Sequence, residues 1–490
     1  MKAAVFCSAL AIVAFVEPTS AASYHGAAND CKNKPLVISE EIQSSIEPQN
    51  LLAGAQALQD IAFATPQRNR MMGTVGHNNT IRLQEFRHLM HLGAKWSLAV
   101  DETTVESGVF EYSPSGNISA PVIVVKNRGC RTADYPKGAN GKIALISRGL
   151  CDFGTKSALA ARAGALGVLI YNDESGGPVN GTLSVPPHRD GSYVPTLGLS
   201  QERGLFYVNA STSGAMIIAN MNVLTDVRNV STNNIIATTK CGNHDTILLV
   251  GAHSDSVKAG PGINDDGSGV IGILEVAKHL AKYQVNNAVA FAFWSGEELG
   301  LLGSNFFVET ASPETRNSIR AYLNFDMIAS PNYIHAIYDG DGSAFNHTGP
   351  TGSSEIEAFF EDYFAAAGQN YTVTAFNGRS DYYAFIEAGI PAGGTFTGAE
   401  EIKTQEEAQR FGGTAGEPLD ANYHQAGDTV DNLNMDAFVL HTKAITAAVS
   451  SYAVSFQSLP ATIERRNLGF MKSYTAHKLS GKHCGKHTTM

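Results

Sequence analysis

No stretch of this sequence is both apolar enough and long enough to cross a bilayer. Its N-terminal apolar run, Ala3 to Val16, falls short of the roughly 20 residues that a spanning helix needs, and no later segment reaches that length. Basic charge is also scarce: 35 Lys and Arg face 46 Asp and Glu, a formal net charge of −11 with no Lys/Arg-rich stripe. That balance excludes a nucleic-acid backbone as partner. Charged residues make up only 17% of the chain against 43% hydrophobic residues, which excludes a disordered or coiled-coil protein and leaves ample material for a core. Cysteine is rare as well, and no CxxC or zinc-finger spacing occurs.

The 490 residues suffice for two or three domains. Lys2, the apolar run, Pro18 and the small residues Thr19 to Ala22 read as a signal peptide over residues 1–21. A secreted, extracellular protein is therefore expected, soluble and without a membrane partner. Asn-x-Ser/Thr sequons at Asn78, Asn117, Asn180, Asn209, Asn229, Asn346 and Asn370 agree with passage through a glycosylating pathway. Loss of the signal removes Cys7 and leaves Cys31, Cys130, Cys151, Cys241 and Cys484, an odd number. Disulfides are expected in an oxidising compartment, with one thiol left over or paired between chains.

Residues 22–104 form an N-terminal helical part with room for a short pro-segment. Ile42, Ile46, Leu51, Leu52, Ala55, Leu58 and Ile61 recur at helical spacing, and a further helix containing Ile81, Leu83, Phe86 and Leu89 is predicted after His77. No residue there looks catalytic. Residues 105–223 alternate short β runs (Val122 to Lys126, Ile143 to Ile146, Val168 to Tyr171) with Gly-rich turns, interrupted by one helix near Lys156 to Ala163. From 224 to 459 strands and helices alternate: Thr246 to Val250, Gly269 to Tyr283, Ala288 to Trp294, Ala321 to Phe325. This pattern predicts an α/β domain with a mainly parallel sheet and ligand sites beyond the carboxyl ends of its strands. The tail, 460–490, is basic and lacks apolar periodicity.

The residues able to carry chemistry fall at those strand ends. His253 and Asp255 leave the first strand two positions apart, so the carboxylate can accept the ring N–H of a metal-ligating histidine; a surface pair at a strand end is the plainer account. Asp265, in Gly260-Pro261-Gly262-Ile263-Asn264-Asp265-Asp266-Gly267-Ser268-Gly269, can bridge two cations with its two oxygens, although Gly and Asp also build ordinary turns and caps. Glu297 and Glu298 follow the next strand. Adjacent glutamates at a helix start point about 100° apart, so one can bind metal while the other reaches a water; the helix dipole favours the same pair without any metal. Asp326 ends the third strand, and His424 lies in Asn422-Tyr423-His424-Gln425-Ala426-Gly427-Asp428-Thr429.

Taken together, this series, from about Ile235 to Ala453, resembles the co-catalytic zinc exopeptidase family of secreted bacterial and fungal leucine aminopeptidases. GKIALISRGLCDFGTKSALAARAGALGVLIYNDE resembles the protease-associated domain, a β-rich, non-catalytic module that bears on access to active sites. The resemblance implies a three-layer α/β/α peptidase domain with a mainly parallel central sheet and an inserted protease-associated domain over residues 105–223. It also implies two Zn²⁺ per subunit, the first at His253 and Asp326, the second at Glu298 and His424, with Asp265 bridging. Glu297 is then the general acid/base, Asp255 supports His253, and Tyr423 donates to the developing oxyanion. The amine is held by Glu297, Asp326 and the backbone around Arg379, and Met327 and Phe396 line the side-chain pocket. A Cys130–Cys151 disulfide and a cis bond between Asp265 and Asp266 follow from the same source. The expected partners are peptides or proteins with free N-termini, and a monomer is expected. A carboxypeptidase or glutamine cyclase on the same scaffold, or a binding protein that has lost catalysis, are the rival readings. Gly378-Arg379-Ser380-Asp381 and Gly393-Gly394-Thr395-Phe396-Thr397 tilt the choice to an aminopeptidase, and the intact ligand and base residues argue against lost catalysis.

Overall fold

The computed structural model describes residues 31–80, 85–345 and 347–461, with the side chains at 79 and 85–93 excepted. The signal peptide, Asn346, Cys484 and nearly all of the basic tail lie outside the described residues. The described residues divide into two compact units, one taking in residues up to Phe86 and those from Ser231 to 461, the other spanning Arg87–Val230.

In the first unit, seven strands form a mixed sheet in the order Ile235–Thr238, Asn287–Trp294, Asn243–His253, Ile319–Phe325, Ala392–Phe396, Ala336–Tyr338, Thr372–Thr374. The central pairings are parallel; Ile235–Thr238 against Asn287–Trp294 and Ala336–Tyr338 against Ala392–Phe396 are antiparallel. Continuous apolar runs suit these strands because both faces are covered. Leu248, Val250, Val289, Phe291, Leu323 and Phe325 enter one core with helices Pro48–Phe63, Gly267–Leu280, Ser353–Ala366 and Met435–Val454. The alternate residues Leu249, Ala290, Ala292, Trp294 and Tyr322 enter a second core with Phe307 of helix Leu302–Thr310 and Phe385 of helix Tyr382–Glu387. The period-two alternation thus divides each strand between two cores, and the unit is a three-layer α/β/α domain. Parallel register sets His253 beside Trp294 and Gly251 beside Asn324, so three successive strand exits meet on one rim. A disulfide joins Cys31 to Cys241 within this unit.

The second unit is β-rich. Strands Gly116–Val124, Ile143–Ser147, Gly167–Tyr171 and Thr196–Leu199 are successive parallel neighbours, and Cys130 is bonded to Cys151. Two local expectations fail. Of the residues expected in a helix after His77, Phe86 and Leu89 fall instead in a long strand, Glu85–Val100, because pairing in a sheet overrides helical spacing; Ile81 and Leu83 lie outside the described residues, and His77 itself is in the short helix Val75–Thr80. A second helix, Gln201–Thr212, accompanies Phe153–Arg162. Its apolar stripe is nearly silent in the sequence, since Leu205 and Phe206 are exposed and only Gly204 and Tyr207 are buried.

Candidate metal centre

Each of the three strand exits delivers a ligand-competent side chain. His253 ends Asn243–His253, Asp326 follows Ile319–Phe325, and Glu297 and Glu298 follow Asn287–Trp294 through Ser295 and Gly296, whose φ of 78° suits glycine. Asp265 sits just before helix Gly267–Leu280, and His424 lies on a loop with φ 56°. The Asp265-Asp266 peptide is cis.

Asp265 is the hinge of the arrangement. Its Oδ1 lies 3.1 Å from His253 Nε2 and its Oδ2 lies 3.2 Å from His424 Nε2. Asp326 Oδ1 is 3.6 Å from His253 Nε2, and Glu298 Oε2 is 3.0 Å from His424 Nε2. Two triads, His253–Asp265–Asp326 and Asp265–Glu298–His424, therefore share one carboxylate, and each holds its ligand atoms within 4.8 Å of one another. Glu297 Oε2 faces the same cluster, 3.9 Å from His253 Nε2.

The electrostatics show what the cluster needs. Asp265, Glu297 and Asp326 are buried together, with His253 and the half-exposed His424 as the facing imidazoles. Burial, with Asp265 adding repulsion, pushes Glu298 up to about 7, and burial together with Asp326, Asp381 and Glu298 carries Glu297 well above the carboxylate range, against the pull of His253. For Asp265 burial is outweighed by hydrogen bonds from both histidines, and its carboxyl is held low. Glu298 Oε1 has no hydrogen-bond partner. A surplus of buried carboxylates around two imidazoles fits divalent cations, and the mixed nitrogen and oxygen donor set fits zinc.

Asp255 departs from expectation. It approaches His253 Nδ1 only to 3.8 Å, too far for a hydrogen bond, and its Oδ1 instead accepts the backbone N–H groups of Gly296 (2.8 Å) and Glu297 (3.2 Å). The i, i+2 alternation that would align the pair holds only inside a strand, and this strand stops at His253. Asp255 thus fixes the turn that carries Glu297. Asp266 does similar work, accepting from the N–H groups of His253 and Gly269 at 2.9 Å and of Met327 at 3.2 Å. Asp428 accepts from the N–H groups of Asn264 and Asp265 at 2.7 and 3.0 Å.

The triads open onto a recess that is exposed to solvent, and Met327, Arg379, Phe396 and Tyr423 all line it. Tyr423 stacks on the His424 ring at 3.8 Å and accepts a hydrogen bond at 3.1 Å from Arg379 Nη2, which also donates to Glu400 at 2.9 Å. Ser380 Oγ donates to Asp326 Oδ2 at 2.6 Å.

The sequence missed Arg70 and His77, which come from the N-terminal part that showed no catalytic residues. Arg70 is fully buried and donates to the carbonyls of Ser254, Pro261 and Gly262, gripping the loops on either side of Asp255 and before Asp265. His77 Nε2 lies 3.3 Å from the hydroxyls of both Ser254 and Ser295. An isolated Arg or His in a polar segment gives no periodic signal; only the long-range contact identifies it.

A three-layer α/β/α domain with two imidazole and carboxylate triads at its strand ends has the donor set of a metal-dependent enzyme. Residues 234–449 match peptidase family M28, and residues 118–205 match the PA domain. The chain is 47% identical over 468 residues to a probable leucine aminopeptidase 2 from Aspergillus fumigatus, covering 91% of this chain and 93% of that one. It is 44% identical to leucine aminopeptidase 2 from Arthroderma otae, covering 93% and 94%. Among solved structures it is similar to an aminopeptidase from Aneurinibacillus sp. strain AM-1 (TM-score 0.68, 24% identity, 87% of this chain and 98% of that one). A zinc aminopeptidase from Bacillus subtilis shares the fold at TM-score 0.60 and 22% identity, over 86% and 97% of the two chains. The chain belongs to peptidase family M28 and is a zinc-dependent aminopeptidase.

Proposed function

We propose that this enzyme acts outside the cell, releasing N-terminal residues, with leucine and other apolar residues preferred, from peptides with a free N-terminus. His253, Asp265 and Asp326 would hold one zinc ion, and Asp265, Glu298 and His424 a second. The observation that carries this reading is the sharing of Asp265, one oxygen toward each histidine, with Glu297 facing the same cluster. When bound, the ions supply Lewis acidity toward the scissile carbonyl and make water acidic enough to ionise near neutral pH.

The chain's own groups do the rest. Glu297 takes a proton from the attacking water and returns it to the departing amine, so no net proton is gained or lost. The Tyr423 hydroxyl donates to the carbonyl oxygen as negative charge develops there, and the Arg379 N–H, by occupying a lone pair of that hydroxyl, leaves its proton for this task. Asp326 and Glu297 attract the substrate's α-ammonium, and the backbone around Arg379 completes its seat. Met327 and Phe396 give the side-chain recess an apolar wall. Support for an extracellular site of action comes from the signal-like N-terminus, the two disulfides, and the exposure of the sequon asparagines at 78, 117, 180, 209, 229 and 370.

The test is hydrolysis of leucyl-p-nitroanilide beside its N-acetylated form and beside lysyl and glutamyl analogues, before and after chelation. The free-amine leucyl substrate should be cleaved fastest, the acetylated one not at all, and activity should vanish with chelator and return with zinc. Cleavage of the blocked substrate would defeat the reading.

A further inference from the structure

Strand Ala392–Phe396 lies beside Ile319–Phe325 in parallel register, so the segment after it, Thr397 to Glu401, comes out on the same rim as Asp326. Its backbone is pinned along its length. The Thr397 N–H donates to the Met327 carbonyl at 2.9 Å and the Ser330 hydroxyl to the Gly398 carbonyl at 2.6 Å. Further on, the Asp420 N–H donates to the Ala399 carbonyl at 2.6 Å and the Leu419 N–H to that of Glu401 at 2.8 Å. The main chain thus holds this segment without the Glu400 side chain.

That side chain reaches toward the recess. Glu400 Oε2 accepts from Arg379 Nη2 at 2.9 Å, and the same nitrogen donates to the Tyr423 hydroxyl oxygen at 3.1 Å. A terminal guanidinium nitrogen carries two hydrogens in a fixed planar fork, so the one given to Glu400 sets the direction of the one given to Tyr423. Glu401 cannot take this part: its Oε1 stands 3.6 Å from Arg379 Nη1, beyond hydrogen-bond reach, and its Oε2 already accepts the Ala399 N–H at 2.8 Å. The guanidinium lies 5.7 Å from the centre of the Tyr423 ring, which stacks at 3.8 Å on His424. Arg379, Tyr423 and His424 line the recess, and Glu400 is not among its lining residues.

We propose that Glu400 is a positioning residue for the peptidase reaction, acting through Arg379 to hold the Tyr423 hydroxyl where it donates to the developing oxyanion. The inference rests on the reading of Tyr423 as that donor. A long arginine side chain with no anchor keeps its rotamer freedom, and its N–H would then meet the hydroxyl only part of the time. Glu400 removes that freedom from a rigid segment, so the hydroxyl oxygen accepts from Arg379 and its own proton stays available to the substrate.

The test is a double-mutant cycle on the full chain: kcat and KM for leucyl-p-nitroanilide with Glu400→Ala, Glu400→Gln, Tyr423→Phe and each Glu400 change combined with Tyr423→Phe, with zinc content and Tm recorded for all. Glu400→Ala should lower kcat about tenfold, a coupling usual within one hydrogen-bond network, with KM changed by less than about twofold and zinc and Tm as in wild type. Glu400→Gln, whose amide oxygen still accepts from Nη2, should recover part of that loss. With Tyr423→Phe already present, neither Glu400 change should lower kcat further by more than about twofold, because the group they position is gone. Equal losses in both backgrounds would overturn the inference and leave Tyr423 as the oxyanion donor. So would a wild-type kcat in Glu400→Ala, or a loss that follows lower Tm or zinc content in both Glu400 variants. A wild-type kcat in Tyr423→Phe alone would overturn the oxyanion reading itself, and the inference with it.

Discussion

Glu297 and Glu298 are adjacent in the chain but face different partners: Glu298 Oε2 meets His424 Nε2 at 3.0 Å, whereas Glu297 Oε2 stands toward His253 at 3.9 Å. The two should therefore fail differently when neutralised. Glu297→Gln keeps size and hydrogen bonding but cannot accept a proton, so kcat should fall on the order of 10² to 10⁴ with zinc content unchanged. Glu298→Gln should lower zinc content, and excess zinc should restore part of the activity. Metal analysis of both variants decides; if Glu297→Gln is the one that loses zinc, the roles are reversed. Tyr423→Phe removes a single donor and should cost about 10² to 10³ in kcat with little change in KM or zinc. A rise in KM alone would move Tyr423 from stabilising the oxyanion to holding substrate. At this scale strand-end position singles out His253, Glu297, Glu298 and Asp326 in the sequence, whereas Asp265 and His424, on loops, were expected there only from the family resemblance. The hydrogen-bond partners of Asp255, the N–H groups of Gly296 and Glu297, depend on how the chain turns after the strand has ended.

Elements are held in place by polar residues that show no periodicity. Arg70 joins the segment after helix Pro48–Phe63 to three carbonyls of the loops around the triads. Arg70→Met should strand those carbonyls and remove a buried cation that attracts Asp255, Asp428 and Asp266, destabilising the domain by about 3 kcal/mol or more and lowering its zinc content. Urea unfolding and metal analysis would show it; a variant as stable and as fully loaded as wild type would count against the role. A second buried link joins helix Met435–Val454 to the sheet: His335 Nδ1 lies 2.9 Å from His441 Nε2, and His441 Nδ1 lies 2.8 Å from Thr395 Oγ1. Burial, with Lys403 adding, pushes His335 down to about 4, and burial with His335 lowers His441 well below the usual imidazole range. The unfolded chain binds protons near pH 6.5 and the folded pair does not, so this contribution to stability is present above pH 6.5 and is lost as pH falls toward 4. Between pH 7 and pH 5 wild type should lose about 2 kcal/mol more than His335→Gln in urea unfolding. Equal losses would mean that His335 is not held neutral.

Across the whole molecule the two disulfides close loops of very different length, with sequence separations of 210 for Cys31–Cys241 and 21 for Cys130–Cys151. Loop-closure entropy assigns them about 5 and about 3 kcal/mol as upper values. Cys31→Ser with Cys241→Ser should therefore lower the Tm of the peptidase unit more than Cys130→Ser with Cys151→Ser lowers that of the β-rich unit, and calorimetry of both double variants would test the order. Local chemistry in the sequence was enough to place the α/β alternation, the apolar strands and the residue types gathered at their exits, since these depend on short-range periodicity and on where a strand must stop. The pairing of Cys31 with Cys241, the strand Glu85–Val100 and the burial of Arg70 were decided only by the tertiary structure. Each is a contact between distant segments, and nothing in the local pattern of either segment carries the identity of its partner.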